Sequence, residues 1–214
     1  MQYFVNSEGI GIIRNVIDSV KSAREYLSKI DGEIGDGDHG VNMYKGFQMA
    51  EKQLNDTQSF SDGNKILGQV LMLEIGGSMG PLYGTFFKCI YRSLRDIEKI
   101  TAADFFNALD AALNSVKDLG KAQVGDKTMI DTLSPATDAL RTGLQNNLSF
   151  EEILKSSIAA AKTGMETTKN MIARIGRSSR LGERSVGVLD AGSVSCFIIM
   201  ESMGNSIIQK LKES

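Results

Sequence analysis

Residues 7–29, SEGIGIIRNVIDSVKSAREYLSK, carry apolar side chains at every third or fourth position. This spacing is typical of one face of an amphipathic helix, whereas a half-buried strand would alternate at every second residue. The stretch therefore predicts a long first helix and indicates an all-α fold. The apolar stripe consists of Ile10, Ile13, Val16, Ile17, Val20, Ala23 and Leu27.

The same helical spacing continues along the chain, which contains only two prolines. It predicts helices over residues 42–54, 62–75, 129–144 and 193–211, with Pro135 kinking the third of these or marking its true start. Three more helices are indicated by start signals at Pro81, at Thr101 with its following Asp104, and at the capping box of residues 149–152. The sequence thus predicts eight helices in a single domain over residues 1–214, because no repeat or linker interrupts it.

Composition excludes several classes of protein. The formal net charge of the 214 residues is −2 and neither sign forms a long block, so nucleic-acid binding is not expected. A signal peptide is absent from the start, and no run of about 18 apolar residues follows, so we expect a cytoplasmic protein without a membrane span. Cys89 and Cys196 lie in apolar runs and are expected to pack as free thiols.

Glycines concentrate in every second connection between the predicted helices. More than half of the 22 glycines follow the first, third, fifth and seventh helices. In an up-and-down bundle these connections lie at the same end. Glycine allows close backbone approach to a ligand, and helix N-termini offer free N–H groups to anionic oxygens. We therefore expect a phosphate site at that end; the alternative is that the glycines only terminate helices.

The first of these connections holds three carboxylates separated by glycines, in the segment DGEIGDGDHG of residues 31–40. Close carboxylates repel one another unless a cation neutralises them, and their oxygens suit Mg²⁺ or Ca²⁺. The segment therefore predicts a metal site on Asp31, Asp36 and Asp38. The alternative is a solvated acidic turn in which Asp38 or Asn42 merely caps the next helix.

Three familiar motifs do not account for these loops. An EF-hand beginning at Asp31 would need glycine and glutamate where Asp36 and Asn42 stand. The G-x-G-x-x-G pattern of residues 35–40 follows a helix rather than the strand of a dinucleotide-binding fold. Residues 120–128 resemble a P-loop, but Asp126 separates its last glycine from the lysine.

Other residues fit a metal–nucleotide site. Ser78 offers a hydroxyl group within a glycine turn, and Arg177, Arg180 and Arg184 bring positive charge that could cover phosphates. The alternative for these arginines is a basic surface loop. His39, the chain's one histidine, follows a predicted metal ligand, and the sequence leaves open whether it contacts ligand or only packs. It has no evident nucleophile partner, so covalent catalysis is not expected.

Five motifs taken together resemble the L subunit, or L domain, of dihydroxyacetone kinases. They are EIGDGDHG (33–40), GGSMGPLYGT (76–85), VGDKTM (124–129), DTLSP (131–135) and GERS (182–185) with Asp190. They spread over nearly the whole chain in the order of the family. The resemblance implies an eight-helix antiparallel barrel with a nucleotide site at one end, in agreement with the distribution of glycines.

The resemblance also implies roles for residues and partners. Asp31, Asp36 and Asp38 would hold two Mg²⁺ ions that bridge the phosphates of ADP or ATP. A separate K subunit would carry the ketose covalently, and in the phosphoenolpyruvate-linked form a phosphohistidine phosphocarrier would rephosphorylate the bound ADP. The nucleotide pocket would be lined by His39, Gly40, Val41, Asn42, Ser78, Met79, Gly120, Thr128, Met129, Arg177, Asp190, Ala191 and Gly192.

Two residues depart from the family pattern. Met79 stands where serine is common, and Ala191 where a proline commonly follows the aspartate. The departures leave the nucleotide grip, the phosphoryl donor and the ketose open. Two other functions therefore remain: a nucleotide-dependent regulatory or interaction module, and an L subunit of an ATP-dependent kinase for a related ketose. The nucleotide domain of a fatty-acid-kinase-like protein is disfavoured, because its aspartate motif differs.

Overall fold

The computed structural model describes residues 2–213 and is built almost wholly from helices, so the all-α prediction is confirmed. Two short strands, β1 (Tyr3–Val5) and β2 (Lys99–Thr101), pair antiparallel beside the helices. The helices of the described chain are α1 (Ile10–Ser22), α2 (Arg24–Ile34), α3 (His39–Glu51), α4 (Phe60–Glu74), α5 (Met79–Leu94), α6 (Ala102–Gly120), α7 (Ile130–Gln145), α8 (Phe150–Thr167) and α9 (Ala191–Glu213).

The helices form a closed ring in chain order. Each helix from α3 to α8 packs against the next helix in the chain, and α9 returns to pack against α1. Such an order is that of an up-and-down barrel, in which successive helices are antiparallel neighbours. Short connections between neighbours therefore alternate between the two ends of the barrel.

The first predicted helix is interrupted at a single residue and forms both α1 and α2. Ala23 has φ −86° and ψ 2°, and its N–H is shared between the carbonyl oxygens of Ser19 and Val20 at 3.2 Å each. Both halves pack against α3 and α9, so they act as one interrupted member of the predicted eight. The helix also extends to Ile34, which places Asp31 on a helical turn rather than in a loop. The apolar spacing gives no sign of this break, because the altered backbone at Ala23 leaves the apolar residues of α1 and α2 on the same side.

The barrel interior is filled by aromatic and aliphatic side chains. Phe87 packs edge-to-face against Phe86 and Phe47, with ring centroids 5.0 and 5.9 Å apart. Burying each of these rings contributes about 1.5–3 kcal/mol. Cys196 is buried as expected, whereas Cys89 is only partly buried.

Helix α9 is long and apolar enough to cross a membrane when judged by length and composition alone. Within the protein, however, 67% of its apolar window is buried. The helix packs against α1, α7 and α8. A helix enclosed by neighbours is apolar on most of its faces, so barrel packing accounts for this composition.

Candidate functional site

The four glycine-rich connections meet at one end of the barrel and line a cavity of about 660 Å³. These connections join α2 to α3, α4 to α5, α6 to α7 and α8 to α9. The opposite connections, residues 52–59, 95–101 and 146–149, contribute nothing to its lining. The gathering of alternate loops expected from the sequence is therefore confirmed within the described chain.

Three carboxylates converge at this cavity. Asp31 lies on the last turn of α2, while Asp36 and Asp38 follow in the connection, where Gly37 has a φ of +77°. One carboxylate oxygen from each residue lies within 4.8 Å of the others. Arg177, from the connection before α9, forms an ion pair with Asp36. The arrangement concentrates negative charge on hard oxygen atoms, so it fits the ligand preference of Mg²⁺.

Two of the helices that start at the cavity end lack the caps that helices starting at the other end carry. At the end away from the cavity, α4, α6 and α8 each begin with a complete capping box, which includes the predicted N-cap at Thr101 and the predicted capping box at Ser149. At the cavity end, neither Asp38 nor Ser78 caps its helix with its own side chain, although the His39 N–H of α3 donates to Asp31 Oδ2 at 3.2 Å. An uncapped first turn leaves backbone N–H groups unpaired. The other N–H groups of these first turns are therefore available to the oxygens of an anionic ligand.

Asp131 shapes the connection between α6 and α7. Its carboxylate is 2% exposed and accepts the N–H of Gly125 at 2.6 Å and that of Thr128 at 2.7 Å. These two bonds fold the loop back onto the start of α7. They thereby set the positions of Thr128 and Met129 in the cavity wall. Asp131 belongs to the DTLSP motif, but nothing in the sequence indicated this role.

Asp190 sits in the cavity wall just before α9. One oxygen of its carboxyl group accepts the N–H of Ser193 at 2.6 Å, and its own N–H donates to Thr168 Oγ1 at 3.1 Å. Burial raises the pKa of Asp190 to about 7, because its charged form is poorly solvated there. The carboxyl group can therefore hold or release a proton near neutral pH.

Three side chains at the cavity wall are linked by hydrogen bonds that the sequence did not predict. Ser195 Oγ is 2.8 Å from His39 Nε2 and 2.6 Å from the Tyr83 hydroxyl oxygen. Burial lowers the pKa of His39 to about 4, so its imidazole ring is neutral at pH 7. His39 thus both borders the cavity and takes part in packing. No spacing in the sequence links Tyr83 or Ser195 to His39.

Most residues expected around a nucleotide do line the cavity, but Gly40 and Val41 do not, and of the three arginines only Arg177 does. Gly40 is buried against α2, and Val41 faces solvent with 44% of its surface exposed. The first turn of α3 explains the difference, because successive helical residues point about 100° apart and only His39 and Asn42 face inward. The expected residues that do line the cavity are Asp31, Asp36, Asp38, His39, Asn42, Ser78, Met79, Gly120, Thr128, Met129, Arg177, Asp190, Ala191 and Gly192.

The remaining cavity wall is apolar. This half was not expected from any motif, and it comes mainly from α5, α6, α7 and the connection between α6 and α7. The cavity thus has a charged part and an apolar part, which we call the apolar slot. The apolar lining consists of Leu82, Val116, Leu119, Ala122, Ile130 and Ile175.

Known proteins share both the sequence and the fold. The DAK2 domain family matches residues 33–205. The chain is 36% identical over 203 residues to the "PEP-dependent dihydroxyacetone kinase 2, ADP-binding subunit DhaL" of Listeria innocua, a match that covers 91% of this chain and 90% of that relative. It is 35% identical over 188 residues to the "PEP-dependent dihydroxyacetone kinase, ADP-binding subunit DhaL" of Escherichia coli, with 87% and 90% covered.

A solved structure agrees with the barrel. The crystal structure of the dihydroxyacetone kinase from C. freundii in complex with AMP-PNP and Mg²⁺ superposes with a TM-score of 0.70. The match covers 96% of this chain and 35% of that longer chain, at 24% sequence identity. At this identity the likeness shows a shared fold.

Proposed function

Because the chain belongs to the DAK2 domain family, we propose that it is the nucleotide-binding subunit of a dihydroxyacetone-kinase-type phosphotransferase. Residues 1–214 would form one domain of this type, acting in the cytoplasm. One observation carries the proposal: the carboxylates of Asp31, Asp36 and Asp38 converge at a cavity that the four glycine-rich connections line together with polar and apolar side chains.

Asp31, Asp36 and Asp38 would hold Mg²⁺, in the two-ion form implied by the family resemblance. The donor set fits the ion, since three carboxylates so close together are stable only when positive charge neutralises them. Magnesium there would neutralise charge on the phosphates of the nucleotide. Arg177, already paired with Asp36, would add a further positive charge at the same place.

The nucleotide would span both halves of the cavity. Its phosphates would meet the uncapped first turns of α3 and α5, including His39, Asn42, Ser78 and Met79. Its base would occupy the apolar slot, between α5 and the start of α7, with Gly120, Thr128 and Met129 beside it. Asp190, Ala191 and Gly192 would close the remaining side.

The residues of this chain would contribute position and charge rather than a covalent step. Phosphoryl transfer depends mainly on alignment and on neutralising the transferred group. The Nε2 atom of His39 is hydrogen-bonded to Ser195 Oγ at 2.8 Å, which gives this ring a structural role. The ketose would therefore be held by a separate K subunit, and a phosphohistidine phosphocarrier would restore ATP from the ADP that stays bound.

The proposal is tested by reconstitution. The isolated chain should bind Mg²⁺-ADP yet phosphorylate nothing, and dihydroxyacetone phosphate should form only when a K subunit is added. Supplying either ATP or a phosphoenolpyruvate-fed phosphocarrier would identify the donor. Turnover by the chain alone would contradict this division of labour. Nucleotide binding without transfer to any K subunit and ketose would favour the regulatory module instead.

A further inference from the structure

Lys127 is a buried lysine in a conformation that lysine seldom adopts. Its side chain is 1% exposed, and its φ is +62°, in the left-handed region. Burying an ammonium group is costly unless partners replace its water, and a positive φ adds backbone strain. The local structure must therefore contain interactions that offset both costs.

The ammonium group meets three backbone carbonyl oxygens. Lys127 Nζ donates to Ser185 O at 2.5 Å, to Val188 O at 2.6 Å and to Met171 O at 3.2 Å. A lysine ammonium has three donors, so all of them are used. All three acceptors belong to residues 168–190, the α8–α9 connection. Lys127 thus joins the beginning of this connection to its end.

The part of the connection between these anchor points forms one side of the cavity. It contains Gly176, Arg177 and Ser178, which line the cavity, and Arg177 forms an ion pair with Asp36 of the α2–α3 connection. Gly176 and Gly182 have positive φ values, so the segment turns sharply. Few side chains of this segment are buried, so backbone and ammonium contacts at its base hold it in place.

A second contact also joins the α6–α7 loop to the α8–α9 connection. The N–H of Arg174 donates to Asp126 O at 3.1 Å, next to Lys127 in the chain. Within the connection, Ser185 Oγ accepts the N–H of Ala173 at 2.9 Å. The α6–α7 loop and the α8–α9 connection are therefore fastened at one point. At that point Lys127 supplies the positive charge.

We propose that Lys127 is a positioning residue whose ammonium group fastens the α8–α9 connection against the side of the cavity, and so retains a bound nucleoside diphosphate. The inference rests on the proposed function, because it names what slows release from that site. Loss of the ammonium removes this donor from three carbonyl oxygens, one of them buried and two partly buried. The connection then opens more often, and nucleotide dissociation speeds up more than association changes.

The test replaces Lys127 with glycine, which accepts a φ of +62° without strain and leaves a channel shaped like the missing side chain. Dissociation of Mg²⁺ and a fluorescent ADP analogue is followed by stopped-flow. Lys127→Gly should release the nucleotide about tenfold faster or more, as expected for the loss of charged hydrogen bonds. Trypsin should also cut faster after Arg177, Arg180 and Arg184 in the nucleotide-free protein.

Chemical rescue separates charge from mere filling of space. Butylammonium should restore slow release and trypsin resistance to Lys127→Gly, whereas butanol, of similar shape, should not. Lys127→Met, which fills the space without a charge, should behave like Lys127→Gly. The matched control is Lys121→Gly, since Lys121 has a φ of +51° but is exposed, and it should behave like the unaltered protein.

Three outcomes would overturn the inference. They are an unchanged release rate in Lys127→Gly, equal rescue by butanol and butylammonium, and slow release by Lys127→Met. Failure of the unaltered protein to bind Mg²⁺-ADP would instead contradict the proposed function. The trypsin comparison would still test Lys127 in that case, because it needs no nucleotide.

Discussion

The hydroxyl oxygen of Tyr83 on α5 lies 2.6 Å from the hydroxyl oxygen of Ser195 on α9, although 112 residues separate them. The Tyr83 hydroxyl also lies 2.9 Å from the carbonyl oxygen of Gly192. Ser195 in turn meets His39 at the start of α3. Three helices of the cavity wall are thus connected by buried polar groups, which hold the first turn of α9 in register with that of α3.

Replacing Tyr83 with phenylalanine tests this connection. Tyr83→Phe should lower the free energy of unfolding by about 1–3 kcal/mol, because buried acceptors lose their donor. It should also weaken ADP binding several-fold, since Gly192 is freed to move. Urea denaturation and calorimetry measure the two effects. Tyr26→Phe, at an exposed position of α2, should change neither. Equal stability and affinity in Tyr83→Phe would count against the connection.

Asp190 should make stability depend on pH in the nucleotide-free protein. The pKa of Asp190 is raised to about 7 in the folded protein. Its contribution to the free energy of unfolding is therefore fully present below the pKa of an aspartate in the unfolded chain, and it is lost as pH rises through 7. Asp190→Asn keeps an acceptor for the Ser193 N–H but cannot ionise. The free energy of unfolding of Asp190→Asn, measured relative to that of the unaltered protein, should therefore rise by about 2–3 kcal/mol between pH 5 and pH 8.

Comparing Asp190→Asn with the unaltered protein separates the titration of Asp190 from that of His39. His39, whose pKa is lowered, acts with the opposite sign below pH 6.5, but it is present in both proteins and cancels. Denaturant titrations at several pH values give the difference directly. A difference that stays constant from pH 5 to pH 8 would show that Asp190 has an ordinary pKa.

Gly40 should matter for the carboxylates although it does not line the cavity. A Cβ atom there would clash with the carbonyl oxygen of Arg24 and lie 2.7 Å from the Ser28 backbone nitrogen. Gly40→Ala should therefore push α3 away from α2, at a cost of at least about 2 kcal/mol of stability. It should also separate Asp38 from Asp31 and weaken the binding of Mn²⁺, a spectroscopic substitute for Mg²⁺.

The control for Gly40→Ala is Gly11→Ala on α1. Nothing lies within 4 Å of a Cβ atom at Gly11, so alanine should be neutral or raise stability by up to about 1 kcal/mol. Thermal unfolding and Mn²⁺ binding are compared for both variants. If Gly40→Ala is as stable as Gly11→Ala and binds the metal normally, close packing of α3 on α2 is not what sets the carboxylate spacing.

Much of this architecture could be predicted because it is determined by residues that are close together in the sequence. Apolar stripes define the helices, and capping boxes such as Ser149 with Glu152 fix where they begin. The position of the cavity followed from a simple geometric rule, since alternate connections of an up-and-down barrel share an end. The glycines and the aspartates of residues 31–38 supplied the rest of that prediction.

The missing parts depend on contacts between distant residues. Lys127 meets carbonyl oxygens 44 to 61 positions away, and Tyr83 meets Ser195 across 112 positions. Backbone carbonyls have no sequence signature, so no motif could reveal the partners of Lys127. The break at Ala23 was hidden for the opposite reason. It is purely local, and it leaves the apolar pattern of α1 and α2 unchanged.

The most direct measurement of the central claim is calorimetric titration of ADP in Mg²⁺ with Asp36→Asn. Affinity should fall by more than about a hundredfold, because even outer-shell changes at metal sites cost about 10–100-fold. Helicity should persist, since the Asp36 side chain is 42% exposed. Asp96→Asn, an 85% exposed aspartate beside Arg95, should bind normally. Unchanged affinity in Asp36→Asn, or equal binding of ADP by the unaltered protein in EDTA, would contradict a metal held by these carboxylates.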